Sequence, residues 1–144
     1  MSRVAYLVDT AVFAYALGGN HPMKQACSRV VAAAGSGDIE LHASVEMLQE
    51  LVFHRMRKTD RHTAVRQARD AATVCVLHDF DQAVLSRALE LIATSESLGG
   101  RDAVHAATAL HHGLPSILSP DHAFDEIVGL GRTDPTKVMA AKDA

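Results

Sequence analysis

Four acidic residues stand where an oxygen-only metal site could be assembled. They are Asp9 after the apolar run Val4–Val8, Glu50 within a helical stretch, Asp102 at a helix start, and Asp121 after Ile117-Leu118-Ser119-Pro120. Two of them follow short strand-like segments, and in α/β folds ligands gather at the carboxyl ends of strands. Carboxylates brought together repel one another strongly unless a cation lies among them. The chemistry this pattern suits is hydrolysis at a magnesium or manganese centre, and a nuclease is a natural user of one.

Each acid also has a plain structural role open to it. Asp9 could cap the helix after the first strand, Asp102 could complement the dipole of a helix start, and Asp121 could open a turn after Pro120. Glu50 lies off the Val45–Leu48–Val52–Met56 stripe, near Glu46, where a solvated glutamate would look the same. Asp125 is a further acid, expected at the surface or as a helix cap. The histidines offer a competing chemistry. No HExxH occurs, however, and His111-His112 are adjacent and so point to different sides of a helix, so a zinc hydrolase is not expected. His105, three residues after Asp102, is near enough to touch the edge of a site, although a partly buried polar side chain is the simpler expectation.

The elements that must position these groups follow from periodicity and turn residues. Val4–Val8 reads as a strand, and Asp9-Thr10 starts a short helix carrying Val12, Phe13 and Leu17 that stops at Gly18-Gly19-Asn20. A second helix is expected from Pro22 to about Ala34, then a weak strand over Ile39–His42. Ser44 starts a helix, a polar helix spans Arg61–Ala72, and Val74–Leu77 reads as a buried strand. Asp81 caps a helix that fades near Ser97. Gly99-Gly100 breaks the chain before the small-residue helix that Asp102 begins, with Ala103, Ala106, Ala107 and Leu110 on one stripe. Gly113-Leu114-Pro115 closes it, and Ser116–Leu118 is the last strand expected. Strands alternating with helices argue for a mostly parallel sheet wrapped by helices, an α/β domain over residues 1–132, with 133–144 a polar, frayed tail.

Bulk properties narrow the function classes. A chain of 144 residues, 48% hydrophobic and 22% charged, can bury a core without staples. Cys27 and Cys75 lack zinc spacing and are expected as buried thiols in a reducing cytoplasm. Apolar stretches such as Val30–Ala34 are too short to cross a bilayer, no leader is expected, and a cytoplasmic location follows. The net charge of -3 does not announce a nucleic-acid binder. Arg55, Arg57, Lys58, Arg61, Arg66 and Arg69 nevertheless gather against the single acid Asp60, a stretch that could neutralise phosphates or form a solvated helix face.

The segments Val8-Asp9-Thr10, Leu48-Gln49-Glu50-Leu51, Arg101 to Ala109 and Leu118 to Phe124 together resemble the four acidic motifs of the PIN domain. In spacing and length the chain is most similar to the VapC group, the ribonuclease toxins of bacterial toxin–antitoxin pairs. The resemblance implies a PIN-like three-layer sandwich, with Asp9, Glu50, Asp102 and Asp121 as the metal centre and Asp9 and Asp102 as the most direct ligands. It implies Thr10 and Ser119 as hydroxyls that orient carboxylates or water, and it puts a serine and a proline, Ser119-Pro120, where members often have threonine. It further implies Mg2+ or Mn2+ as cofactor and structured RNA as substrate, cut to leave a 5′-phosphate, with Arg101 among the groups available to flanking phosphates. A small antitoxin that covers the pocket and a homodimer of the chain complete what it implies. A catalytically silent module that binds RNA or antitoxin, and a DNA-directed nuclease, are the alternatives.

Overall fold

The computed structural model describes residues 3–138. The chain runs β1 (Ala5–Val8), α1 (Thr10–Leu17), α2 (Lys24–Gly35), β2 (Glu40–Ser44), α3 (Val45–Lys58), α4 (Arg61–Thr73), β3 (Cys75–His78), α5 (Gln82–Thr94), α6 (Gly100–His111), β4 (Ser116–Leu118) and β5 (Gly131–Thr133). Helix starts are set locally. Ser44 accepts from the Glu46 N–H at 3.1 Å, Asp60 from Thr63 at 2.8 Å and Asp81 from Val84 at 3.0 Å, each satisfying a donor the helix cannot.

The strands form one sheet in the order β3-β2-β1-β4-β5, and every pairing is parallel. Parallel neighbours need long crossovers, and here two helices fill each of the first three. The strands alternate sides. Val8, Leu41, Ala43 and Leu118 pack into a core with α1 to α4, whereas Leu7 and Ile117 face a second core built on α6. Helices therefore cover both faces in three layers. The alanines of α6 are small enough to let it lie close to the sheet and to α5, and Ala103, Ala106, Ala107 and Ala109 are fully buried.

The chain lays down β1, β2 and β3 in one direction, then crosses back to place β4 on the other side of β1. That reversal opens a crevice beyond the carboxyl ends of β1 and β4, where such sheets bind ligands.

Several expectations need correction. β4 is not the last strand: β5 pairs with it through Ser116↔Gly131, Ile117↔Arg132 and Leu118↔Thr133. Packing likewise continues past Arg132, with Val138 buried in the first core, because β5 returns the chain to the sheet; residues 139–144 of the expected tail lie outside the described residues. β3 is an edge strand, so Val76 and Leu77 are 44% and 40% exposed and Cys75 only partly covered, while Cys27 is buried. Helix α6 begins at Gly100 with Gly99 at its cap, placing Asp102 inside the first turn. On α3 the buried face is Met47–Leu51–Arg55, one helical step from the Val45–Leu48–Val52–Met56 stripe, because this helix packs against the sheet on one side and against α4 on another.

Candidate active site

At the switch point Asp9 and Ser119 leave adjacent strands together. The Asp9 N–H donates to the Leu118 carbonyl at 3.1 Å, extending the β1–β4 ladder by one residue. Asp9 occupies the cap position of α1, yet its carboxylate makes no capping bond. It accepts instead from the Ser119 hydroxyl at 2.7 Å, and the same hydroxyl accepts from the Asp121 N–H at 3.0 Å. Ser119 is completely buried, so one side chain ties the end of β1 to the turn carrying Asp121. Asp121 keeps its turn role as well, accepting from the Ala123 N–H at 2.9 Å.

Helices α3 and α6 bring the other acids. Glu50 is on α3 three residues after buried Met47, at the flank of the face that packs. Its Oε1 accepts from His105 Nε2 at 2.8 Å, since a carboxylate can only accept. The same ring nitrogen lies 3.4 Å from the Thr10 hydroxyl. His105 is fully buried, and its Nδ1 has no partner. Residues 10, 50 and 105 thus meet at one imidazole, linking α1, α3 and α6. Asp102, one turn before His105, feels the charges of Asp9, Asp121 and Glu50. Arg101 does not join them: it is exposed and makes no hydrogen bond or ion pair among the described residues.

The electrostatics show what this crowding does. Burial first, then the neighbouring Asp9, Asp121 and Glu50 charges, push the Asp102 carboxyl up to about 6, with His105 opposing. Burial likewise raises Asp9, against the pull of His105 and the Ser119 hydrogen bond. For His105, burial disfavours the charged ring. The Glu50 hydrogen bond and the Asp9, Glu50 and Asp102 charges outweigh it and raise the imidazole above its ordinary value. Asp9, Glu50 and Asp102 act on one imidazole, Asp121 adds its charge beside Asp102, and the excess is negative. Oxygen donors in negative excess fit a hard divalent cation. Among the described residues no three acidic, imidazole or thiol groups already stand in a coordinating arrangement, so the acids rim the crevice without closing on a point.

Two residues matter more than the sequence pattern indicates. His105 forms the floor of the site, where a partly buried polar side chain was expected; its place three residues after Asp102 was the available signal. Arg132 of β5 donates to the Ser119 carbonyl at 3.0 Å and to Asp125 at 2.5 Å, bracing the turn that carries Asp121. Asp125 is therefore the partner of Arg132 and of His122, outside the acidic group.

Comparison with known proteins agrees with this geometry. The family model described as PIN domain matches residues 6–130. Ribonuclease VapC13 of Mycobacterium tuberculosis is 31% identical over 128 residues, covering 88% of this chain and 97% of its own. Ribonuclease VapC7 of the same organism is 33% identical over 123 residues, covering 84% and 85%. Among solved structures, VapBC2 from Rickettsia felis bound to a promoter DNA fragment superposes with a TM-score of 0.71 at 15% identity, covering 91% of this chain and 98% of that one. A toxin–antitoxin complex from Klebsiella pneumoniae gives 0.68 at 18% identity, covering 90% and 97%. The parallel sheet, the acids around its switch point and these relatives together place the chain in the PIN-domain family, among the VapC ribonucleases.

Proposed function

We propose that this chain is an endoribonuclease toxin that hydrolyses phosphodiester bonds of structured RNA with a divalent metal ion, Mg2+ or Mn2+. The observation that carries the reading is the convergence of Asp9, Glu50, Asp102 and Asp121 on one crevice, in a chain whose relatives bear the name ribonuclease. Asp9 and Asp102 would hold the ion most directly, with Glu50 and Asp121 completing the oxygen set. When bound, such an ion offsets charge on the phosphoryl oxygens and makes water a better nucleophile.

The chain's own residues do the rest. Ser119 holds the Asp9 carboxylate in place, and His105 fixes Glu50. Thr10, beside His105, orients that ring. A carboxylate of the group takes the proton of the attacking water, whose oxygen bonds to phosphorus. The bond from phosphorus to the 3′-oxygen breaks, leaving a 5′-phosphate and a 3′-hydroxyl that takes up a proton.

A protein antitoxin that covers the crevice and a homodimer of the chain belong to the same proposal, and one solved neighbour is described as a toxin–antitoxin complex. No described helix is long and apolar enough to cross a membrane; the cytoplasm is the compartment proposed. Incubating the purified chain with total RNA and Mn2+ tests the activity. Asp9→Asn should lower cleavage at least about a hundredfold, the scale of losing an electrostatic group at a reacting phosphate, with the circular dichroism spectrum unchanged. Equal cleavage by the variant overturns the assignment.

A further inference from the structure

A second concavity begins one helical turn from the acidic crevice. It measures about 560 Å³ and lies between the end of α1 and the later half of α3, with Tyr15, Asn20, His21, His54, Arg55 and Lys58 in its walls and no carboxylate among its lining residues. Its relation to the acidic centre follows from helix periodicity. Thr10 and Glu50 both meet His105, and residues four further along the same helices, Ala14 and His54, line the pocket. Four residues advance a helix by about 6 Å, so the two concavities are neighbours along both helices, a distance one or two nucleotides can span.

Two groups in this pocket stand short of partners, one lacking a counter-charge and the other a hydrogen bond. Arg55 is only 7% exposed, and its one hydrogen bond is from Nε to Gln67 Oε1 at 2.9 Å. No acidic group lies within ion-pair distance of it among the described residues. Its terminal nitrogens are not among the buried atoms left without a partner, so they remain open to an anion in the pocket. Nδ1 of His54 is also buried without a partner. Burial first, then the Arg55, Lys58 and Arg57 charges, hold His54 below its ordinary pKa. Two carbonyls at the end of α1 and its cap, which would repel an anion, are covered, because Lys24 donates to the Ala16 and Gly18 oxygens.

We propose that this pocket binds a backbone phosphate of the RNA strand one or two nucleotides from the scissile linkage, with Arg55 and Lys58 as its cationic contacts. The inference rests on the ribonuclease reading. An RNA strand fits better than an acidic peptide because Tyr15 and His21 stack at the rim, ring centroids 4.3 Å apart, and a stacked aromatic pair beside a cationic pocket suits a base attached to its phosphate.

The test measures affinity of a fluorescein-labelled stem-loop RNA for the Asp9→Asn chain, whose cleavage is expected to be at least about a hundredfold slower, across a salt series. Adding Lys58→Ala should weaken binding about tenfold and reduce the slope of log affinity against log salt by roughly one, as for one lost phosphate contact. Lys58→Arg should restore both. Arg55→Gln should have the larger effect; if that variant unfolds, the Lys58 pair still decides. Unchanged affinity and slope in Lys58→Ala overturn the subsite. Unchanged RNA binding with weakened binding of a polyglutamate peptide would assign the pocket to a protein partner instead. Cleavage of total RNA by the unaltered chain is measured in parallel. Its absence would defeat the ribonuclease reading, whereas cleavage with an unchanged slope would defeat the subsite alone.

Discussion

The acidic crevice and the basic pocket share helices α1 and α3 and carry opposite charge. In the crevice, burial and then the crowding of acids from four segments push Asp102 up to about 6. In the pocket, Arg55 is buried with no acid to meet it. Each region lacks the ion the other would supply, yet a helical turn and the His105 contact keep them apart. Charge left unpaired in a folded chain costs stability, so two such regions of opposite sign suit a ligand that is itself of mixed charge: a phosphate strand accompanied by a cation.

Three variants, taken in order of expected effect, bear on that comparison. His105→Ala empties a fully buried position and removes the hydrogen bond to Glu50, which should cost about 2–4 kcal/mol in urea denaturation. Cleavage should fall while the salt slope of RNA binding stays that of the unaltered chain. A changed slope would mean the two regions are not separable.

Asp102→Asn addresses the crowding itself. Because burial and its acidic neighbours raise Asp102 to about 6 from 3.8, the folded state favours its protonated form. Its contribution to stability is fully present below 3.8 and is lost as pH rises through about 6. In the metal-free chain the asparagine should therefore stabilise at pH 7.5 by about 1–2 kcal/mol, after discounting for partial exposure, and by nearly nothing near pH 4. Thermal melts at the two pH values measure this. A gain that does not depend on pH would show that charge repulsion is not what shapes the site.

The smallest effect belongs to Asp60, which caps α4 at the basic end of the molecule. Asp60→Ala should lower the melting temperature slightly, as the loss of a helix cap does, and leave RNA cleavage unaltered. If cleavage fell, the basic stretch would be acting through the position of α4 and not through charge.

Much of the fold was legible locally. Capping residues at Ser44 and Asp81 marked helix starts, and the apolar runs marked four of the five strands to within a residue or two. β5 was not legible, because three residues centred on Arg132 carry no apolar pattern and become a strand only by pairing with β4. The sense of α3 was misread for a related reason. Its buried face includes an arginine, which hydropathy assigns to solvent.

The site divides in the same way. Asp9, Asp102 and Asp121 stand beside strand ends or helix starts, and those positions depend on neighbours a few residues away, so the sequence by itself determined that three acids would reach one edge of the sheet. Glu50 and His105 are 55 residues apart, and Asp9 and Ser119 are 110 apart. No local rule connects such pairs. Only the tertiary structure decided that His105 would be the floor between Glu50 and Thr10, that Ser119 would hold Asp9, and that Arg55 would be buried without a counter-charge. The physical reason is that periodicity and capping act within a turn or two of chain, whereas burial and pairing depend on which distant elements the sheet order brings side by side.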